Sequence, residues 1–488
     1  MGKEKEQHPS QVKRIECSIS KGGKSEKFPD NAVLSSSFKE GIYFPMVSGH
    51  LLISDSCNFI NEFPIEGGET VKIKIKHSFD DDPVEYEFVI ARITNRIYAN
   101  KVQTYKLVCC SEELLTNETI KMQLPISGSA DSIVVDLITN FLKSKKKVFA
   151  EKSRFDIKML SNNRRPFDII ANLINKAVPS ESEYKDSENA RPKADNNAKK
   201  IRGTAGFFFW ETRRGYNFFS ADSLCDSPEL DRKKKPKKRF APSNLQSTAY
   251  GPYVEGTANK DDGTDGRSII KSFMFLTETD IMGSLRRGKY SSLLVFFNHS
   301  TGQYEEYIYK ISSSYNNMAH LGGQGNIDLI PINQEELSEE PSRIMSKILD
   351  DETWFNEPEP ANSDENEKSK NKKKGNPTRF ADWSKYYTAQ SIARKKLLRN
   401  QEAKVVIPGN PLICAGDKVE LLLLMKAADF YRKENPFDTE ASGTYLVSEV
   451  SHDYDWGNSV SGTCDTTLTL IRDSYGTMED LSKHGENK

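Results

Sequence analysis

Apolar and charged residues alternate through much of the chain. In TVKIKIK (70–76) Val71, Ile73 and Ile75 alternate with lysines, a two-residue period that predicts a half-buried strand. YEFVIARI (86–93) and VQTYKLVCC (102–110) read as two more strands, separated by turn residues. SLLVFFN (292–298) and YEEYIYKIS (304–312) read as a hairpin around His299–Gln303. FFFWETRRGYNFFS (207–220) is a clearer one, with two aromatic runs flanking Thr212-Arg213-Arg214-Gly215. Helical periods are fewer. One is predicted from Asp131 to Lys143, and one in RRPFDIIANLINKAV, with Pro166 in the first turn. A third spans 384–400, with Ala389, Ile392, Ala393 and Leu397 on one face and basic residues opposite.

Three blocks recur in the same order. EGGETVKIKIK (66–76) matches CAGDKVELLLL (414–424): a glycine, an acid, any residue, then a valine-led strand. FVIARITN (88–95) matches YLVSEVSH (445–452), and TYKLVCC (104–110) matches TLTLIRD (467–473). This predicts two copies of one β-unit, with Asn95 in the place of His452.

Polar segments interrupt the pattern at 180–200, 227–239 and 356–377 and are expected to be loops or linkers, because none can bury an apolar face. The 488 residues carry 69 basic and 70 acidic side chains, a net charge of −1, so no global field draws the chain to nucleic acid or an anionic membrane. No apolar run reaches the roughly 18 residues of a membrane span, and the N-terminus lacks the apolar core of a signal peptide. The expectation is a soluble protein made in a reducing cytoplasm.

Candidate chemistry is sparse. The seven cysteines (17, 57, 109, 110, 225, 414, 464) form no CxxC and read as small buried hydrophobes. The seven histidines (8, 50, 77, 299, 320, 452, 484) never fall within five residues of one another. SISKGGKS (18–25) holds half a phosphate loop, with Ser18 where the first glycine belongs and no helix after it. HLGGQGN (320–326) opens no helix and reads as a turn. RKKKPKKR (232–239) and the aromatic hairpin with Arg213 and Arg214 leave nucleic-acid binding as one alternative. A carboxylate pair for wall hydrolysis is another. No catalytic, cofactor or metal residue is assigned. His452 reads as the polar end of a strand.

The C-terminal block carries a resemblance. Pro408-Gly409, Gly416-Asp417 before Val419, Gly443-Tyr445-Val447 with His452 and Tyr454, and Thr467-Leu468-Leu470-Arg472 resemble the second barrel of contractile-phage baseplate hub proteins of the T-even and late-control type. The same motifs occur in the equivalent half of type VI secretion spikes. The match is most specific over 384–476 and weaker over 40–225; insertions 228–265 and 335–378 depart from a compact hub. The resemblance implies a mainly β, α+β chain with two tail-tube-like β-barrels and helical and hairpin insertions. The implied division is an arm (1–40), a first barrel (41–125), a middle α+β region (126–355), a charged linker (356–380), a second barrel (381–476) and a tail (477–488). It further implies a non-enzymatic homotrimer in the virion baseplate, three chains of two units matching a sixfold tube to a threefold spike. Its partners would be the tube protein, the spike protein and other baseplate proteins, with DNA as transient cargo.

Overall fold

A computed structural model describes residues 9–77, 82–180, 204–225, 250–255, 266–298, 302, 304–315, 318–322, 340–349, 354–355, 378–426, 437–457 and 459–474. Segments 227–239 and 356–377, and all of 180–200 but Ser180, lie outside them. The described chain is mostly β, with short helices between strands. Among these residues no helix is long and apolar enough to cross a membrane.

The alternation at 70–76 does what a two-residue period requires: Val71, Ile73 and Ile75 are buried, while Lys72 and Lys76 are exposed. Strand Thr70–His77 pairs with Gln11–Lys21 on one side and Val84–Ala99 on the other. Pairing continues through Val102–Cys110 and Ser48–Asp55 to Val33–Gly41. The outer two, Gln11–Lys21 and Val33–Gly41, do not pair with each other. The C-terminal hairpin enters between them: Glu449–Asp455 pairs with 35–41, and Ser461–Thr463 pairs with 11–13. Around this path the hydrogen-bonded pairs return to their starting strand. The stretch expected to be an arm therefore supplies three strands of the sheet, Gln11–Lys21, Lys24–Lys27 and most of Val33–Gly41.

A second path shares that hairpin. Strand Lys418–Leu422 pairs with Gly443–Asp455, which pairs with Ser461–Arg472, which pairs with Gln401–Pro408. Gln401–Pro408 pairs with Ser272–Thr277, and the preceding Ile269–Ile270 lies parallel to Tyr250–Glu255, which returns to Lys418–Leu422. Two apolar cores follow the two paths. Val71, Ile73 and Phe88 pack in the first, together with Tyr454, Trp456 and Cys464 from the C-terminal hairpin. Val419, Tyr445 and Leu470 pack in the second.

The insertions sit against both. Phe207–Thr212 and Gly215–Ser220 pair as the aromatic pattern predicts. Phe207, Phe209, Tyr216 and Phe218 face the core of helices Ala130–Asp136 and Pro166–Ile174; Phe208, Trp210 and Phe219 face Leu446 and Ile471. The hairpin is thus buried on both faces. Ser291–Asn298 and Tyr304–Lys310 pair as expected. Helix Phe380–Leu397 departs from its expected basic outer face. Arg394 is fully buried, 2.9 Å from Asp473 and 3.3 Å from Asp222. Two carboxylates and the Ala319 carbonyl compensate its desolvation.

Candidate assembly surface

The glycine-acid step of the repeat is one turn built twice. Gly68 and Gly416 have φ of 88° and 90°, a left-handed conformation that a side chain resists. Gly68 N–H donates to the Ile90 carbonyl and Ile90 N–H to the Glu69 carbonyl, at 2.8 and 2.9 Å. Gly416 donates to Val447 and Val447 to Asp417, at 2.9 and 2.8 Å. The acid caps the turn in both copies: Glu69 accepts from the Glu66 N–H at 2.9 Å, and Asp417 from the Cys414 N–H at 2.9 Å. Each carboxylate is buried and meets a cation, Lys21 at 3.2 Å or Arg214 at 2.8 Å.

Register agrees as well. Val71 stands opposite Phe88 and Val419 opposite Tyr445. Both second strands then bulge at the same place, after Ile90 and after Val447. The third block is shifted relative to the sequence match. Ile90 faces Cys109 and Val447 faces Leu470, so Cys109 corresponds to Leu470 and not to Arg472. A slip of two residues keeps every side chain on its own face, so alternation cannot detect it.

The motif residues of the C-terminal block sit around the second core. Pro408 ends its strand opposite Asp465. At Gly409 the backbone approaches so closely that a Cβ would stand 2.6 Å from that of Cys464. At Gly416 a Cβ would stand 2.5 Å from Trp210, whose Nε1 donates to the Ala415 carbonyl at 2.9 Å. Gly443 has φ of 130°. The Tyr445 hydroxyl donates to the Ala441 carbonyl at 2.6 Å, and the buried Arg472 guanidinium lies 4.4 Å over its ring. Arg472 also donates to Gln401 Oε1 at 2.8 Å and the Ser442 carbonyl at 3.0 Å. Thr467 Oγ1 donates to Asp453 at 3.5 Å. His452 is buried, with Nδ1 3.1 Å from Thr466 Oγ1, and burial pushes its pKa down to about 4. Asn95 is a poor guide to it. Asn95 is exposed at φ 52°, beside an extra residue inserted between Thr94 and Ile97.

These residues do not converge on a reactive centre, and among the described residues no three His, Cys, Asp or Glu side chains could hold a metal ion. The half phosphate loop Gly23-Lys24-Ser25 falls in a β-hairpin, whose two-residue turn is Gly22-Gly23, both at positive φ. Arg214 is not free to stack on bases: it holds Asp417 through both terminal nitrogens at 2.8 Å. Arg213 is exposed, with its guanidinium donating to the Pro411 carbonyl at 3.2 Å. His320, at the head of the glycine-rich HLGGQGN, instead lies 2.8 Å from Asp473.

What the two copies do not share is the environment of their hairpin tips. In the C-terminal copy Tyr454 is 2% exposed, 5.8 Å from the Phe38 ring, with its hydroxyl 3.4 Å from that of Tyr86. Tyr454 stands opposite Cys464, and Tyr98 stands opposite Gln103, the corresponding pair of the first copy. Tyr98 is 71% exposed, and Ile97 beside it 62%. Arg96 donates to Gln103 Oε1 at 2.6 and 3.0 Å and holds this free tip together. Sequence reading missed the tip because it compared the strands and not their surroundings; a tyrosine beside Ile97 at a turn was the available signal.

No protein-family model matches the chain, and no curated protein does. Solved structures do. The tail protein from Neisseria meningitidis MC58 is 12% identical, over 94% of this chain and 96% of its own, with a TM-score of 0.47. The 43 kDa tail protein of prophage MuSo2 from Shewanella oneidensis is 8% identical, over 94% and 98%, at 0.46. The E. coli c3393 protein, a component of the type VI secretion system, is 8% identical over 95% and 79%, at 0.40.

Proposed function

We propose that this chain is the structural central hub of a contractile phage tail baseplate. The supporting observation is the double construction of the chain. One β-unit, with the same capped turn, register and bulge, occurs twice, and the two strand paths share one hairpin. In this reading each path is a tube-like β-barrel, and the segments between them are insertions. Three such chains present six similar units to a sixfold tail tube and a threefold face to a spike. The ring encloses the passage for DNA, and the protein acts in the virion after synthesis in the host cytoplasm, without membrane insertion. Its role is assembly rather than catalysis. The peptidoglycan-hydrolase and nucleic-acid readings have less support. The buried acids of the repeat are turn caps, and Arg214 of the aromatic hairpin is held by Asp417.

Mass photometry of the purified chain, alone and with its tube and spike proteins, tests this. The expected result is a trimer, alone or on addition of the spike. A chain that remains monomeric with both partners present contradicts it.

A further inference from the structure

The junction inside the chain is a template for a junction between chains. Within the chain, the tip of the second hairpin fills the gap in the first strand path, and its Glu449–Asp455 segment pairs antiparallel with 35–41. The corresponding tip of the first hairpin, residues 92–98, has no such partner. Its outer edge is unpaired among the described residues past Ile90, whose N–H and carbonyl make the last bonds to the Gly68-Glu69 turn. The strand that corresponds to Val33–Gly41 in the second path is Ser272–Thr277. Each is the neighbour of the strand that pairs with the third strand of its unit: 48–55 in the first path, 401–408 in the second. Ser272–Thr277 is the last strand of its sheet order and, among the described residues, pairs only with Gln401–Pro408. It carries Met274, 53% exposed, and Leu276, 46% exposed. An unpaired edge with outward apolar side chains is a site for strand addition.

We infer that the hairpin tip 92–98 of one copy adds as a strand to the Ser272–Thr277 edge of the next copy, head to tail, as 449–455 adds to 35–41 within the chain. The register follows from the internal junction. There Tyr454 stands opposite Ser36 and Asp453 opposite Ser37. Carried through the matched pairs, Tyr98 stands opposite Phe273 and Ile97 opposite Met274, so the exposed apolar side chains of the two surfaces meet each other. Tyr98 then takes the buried place in the neighbour that Tyr454 takes at home. A contact between two different patches of one chain closes into a ring or runs into a filament, and this inference rests on the ring reading above. The occupant is a second copy of this chain, because the intrachain junction already shows the same kind of hairpin seated on the same kind of edge.

The test uses the full-length chain with exposed Cys57 replaced by serine, the other described cysteines being buried. One preparation carries Ile97→Cys, another Met274→Cys. Mixed and oxidised, they are expected to form a disulfide-linked heterodimer that neither forms alone, and the double variant is expected to form a covalent closed ring. Tyr98→Ala is expected to weaken self-association by about 30-fold, as loss of a buried aromatic anchor does, with the melting temperature of the separated chain unchanged. Assembly into trimers without the Ile97–Met274 cross-link overturns the docking assignment and leaves the ring reading standing. Cross-linking of position 97 to the tube protein in place of position 274 also overturns it. A chain monomeric under every condition overturns both.

Discussion

The first and second copies of the β-unit share a left-handed glycine, a carboxylate cap, a strand register and a bulge, yet one hairpin ends in a core and the other in solvent. Tyr454 lies among Phe38, Tyr86, His77 and Trp456, and Trp456 donates to Ser36 Oγ at 3.1 Å under the Arg14 guanidinium. Tyr98 touches none of these. Local sequence thus specifies the hairpin itself, while its tip is defined by what stands next to it. A unit that is complete in one place and open in the other is suited to assembly.

That contrast can be broken most severely at the buried tip. Trp456→Ala is expected to cost ~3–5 kcal/mol, the usual loss for a buried tryptophan, in chemical denaturation of the monomer. Tyr98→Ala in the same assay is expected to change stability by less than about 0.5 kcal/mol, as for a solvated side chain. Equal losses at the two sites would erase the distinction. The paired glycines sharpen it further. Gly416→Ala meets both the positive φ and the Trp210 ring and is expected to cost ~2–4 kcal/mol. Gly68→Ala has no atom within 4 Å of the new methyl and faces only the backbone penalty of ~1–2 kcal/mol.

Histidines at the shared junction set a pH dependence. Burial holds His77 and His452 at about 4, below the ordinary value of 6.5, so each is neutral when folded and takes up a proton on unfolding. Their contribution is fully present above pH 6.5 and is lost as the pH falls from there towards 4. Between pH 7 and 4.5 the His452→Asn chain is therefore expected to lose ~2 kcal/mol less stability than the parent. Parallel pH profiles would show that His452 is not buried in neutral form.

Much of this was readable in the chain because alternation and turn chemistry are local. The Val71–Phe88 and Val419–Tyr445 registers, the aromatic hairpin and the Pro166 helix start follow from residues close together in sequence. The strand Gln11–Lys21 was not readable, for a physical reason. A bulge between Arg14 and Glu16 pushes Ile15 into solvent, while Arg14 turns inward to the Val33 and Asp30 carbonyls, so the polar-apolar pattern inverts mid-strand. The burial of Arg394 was not readable because its partners, Asp222 and Asp473, come from distant segments. The open tip at Ile97 and Tyr98 carried a local signal, but its meaning depends on the comparison with Tyr454.

End-on electron microscopy of the isolated assembly tests the central claim most directly. Two copies of one unit per chain predict a ring of six similar lobes around an open centre, with true threefold symmetry and approximate sixfold symmetry. A ring of three unlike lobes, or single particles with one copy of the chain, would contradict it.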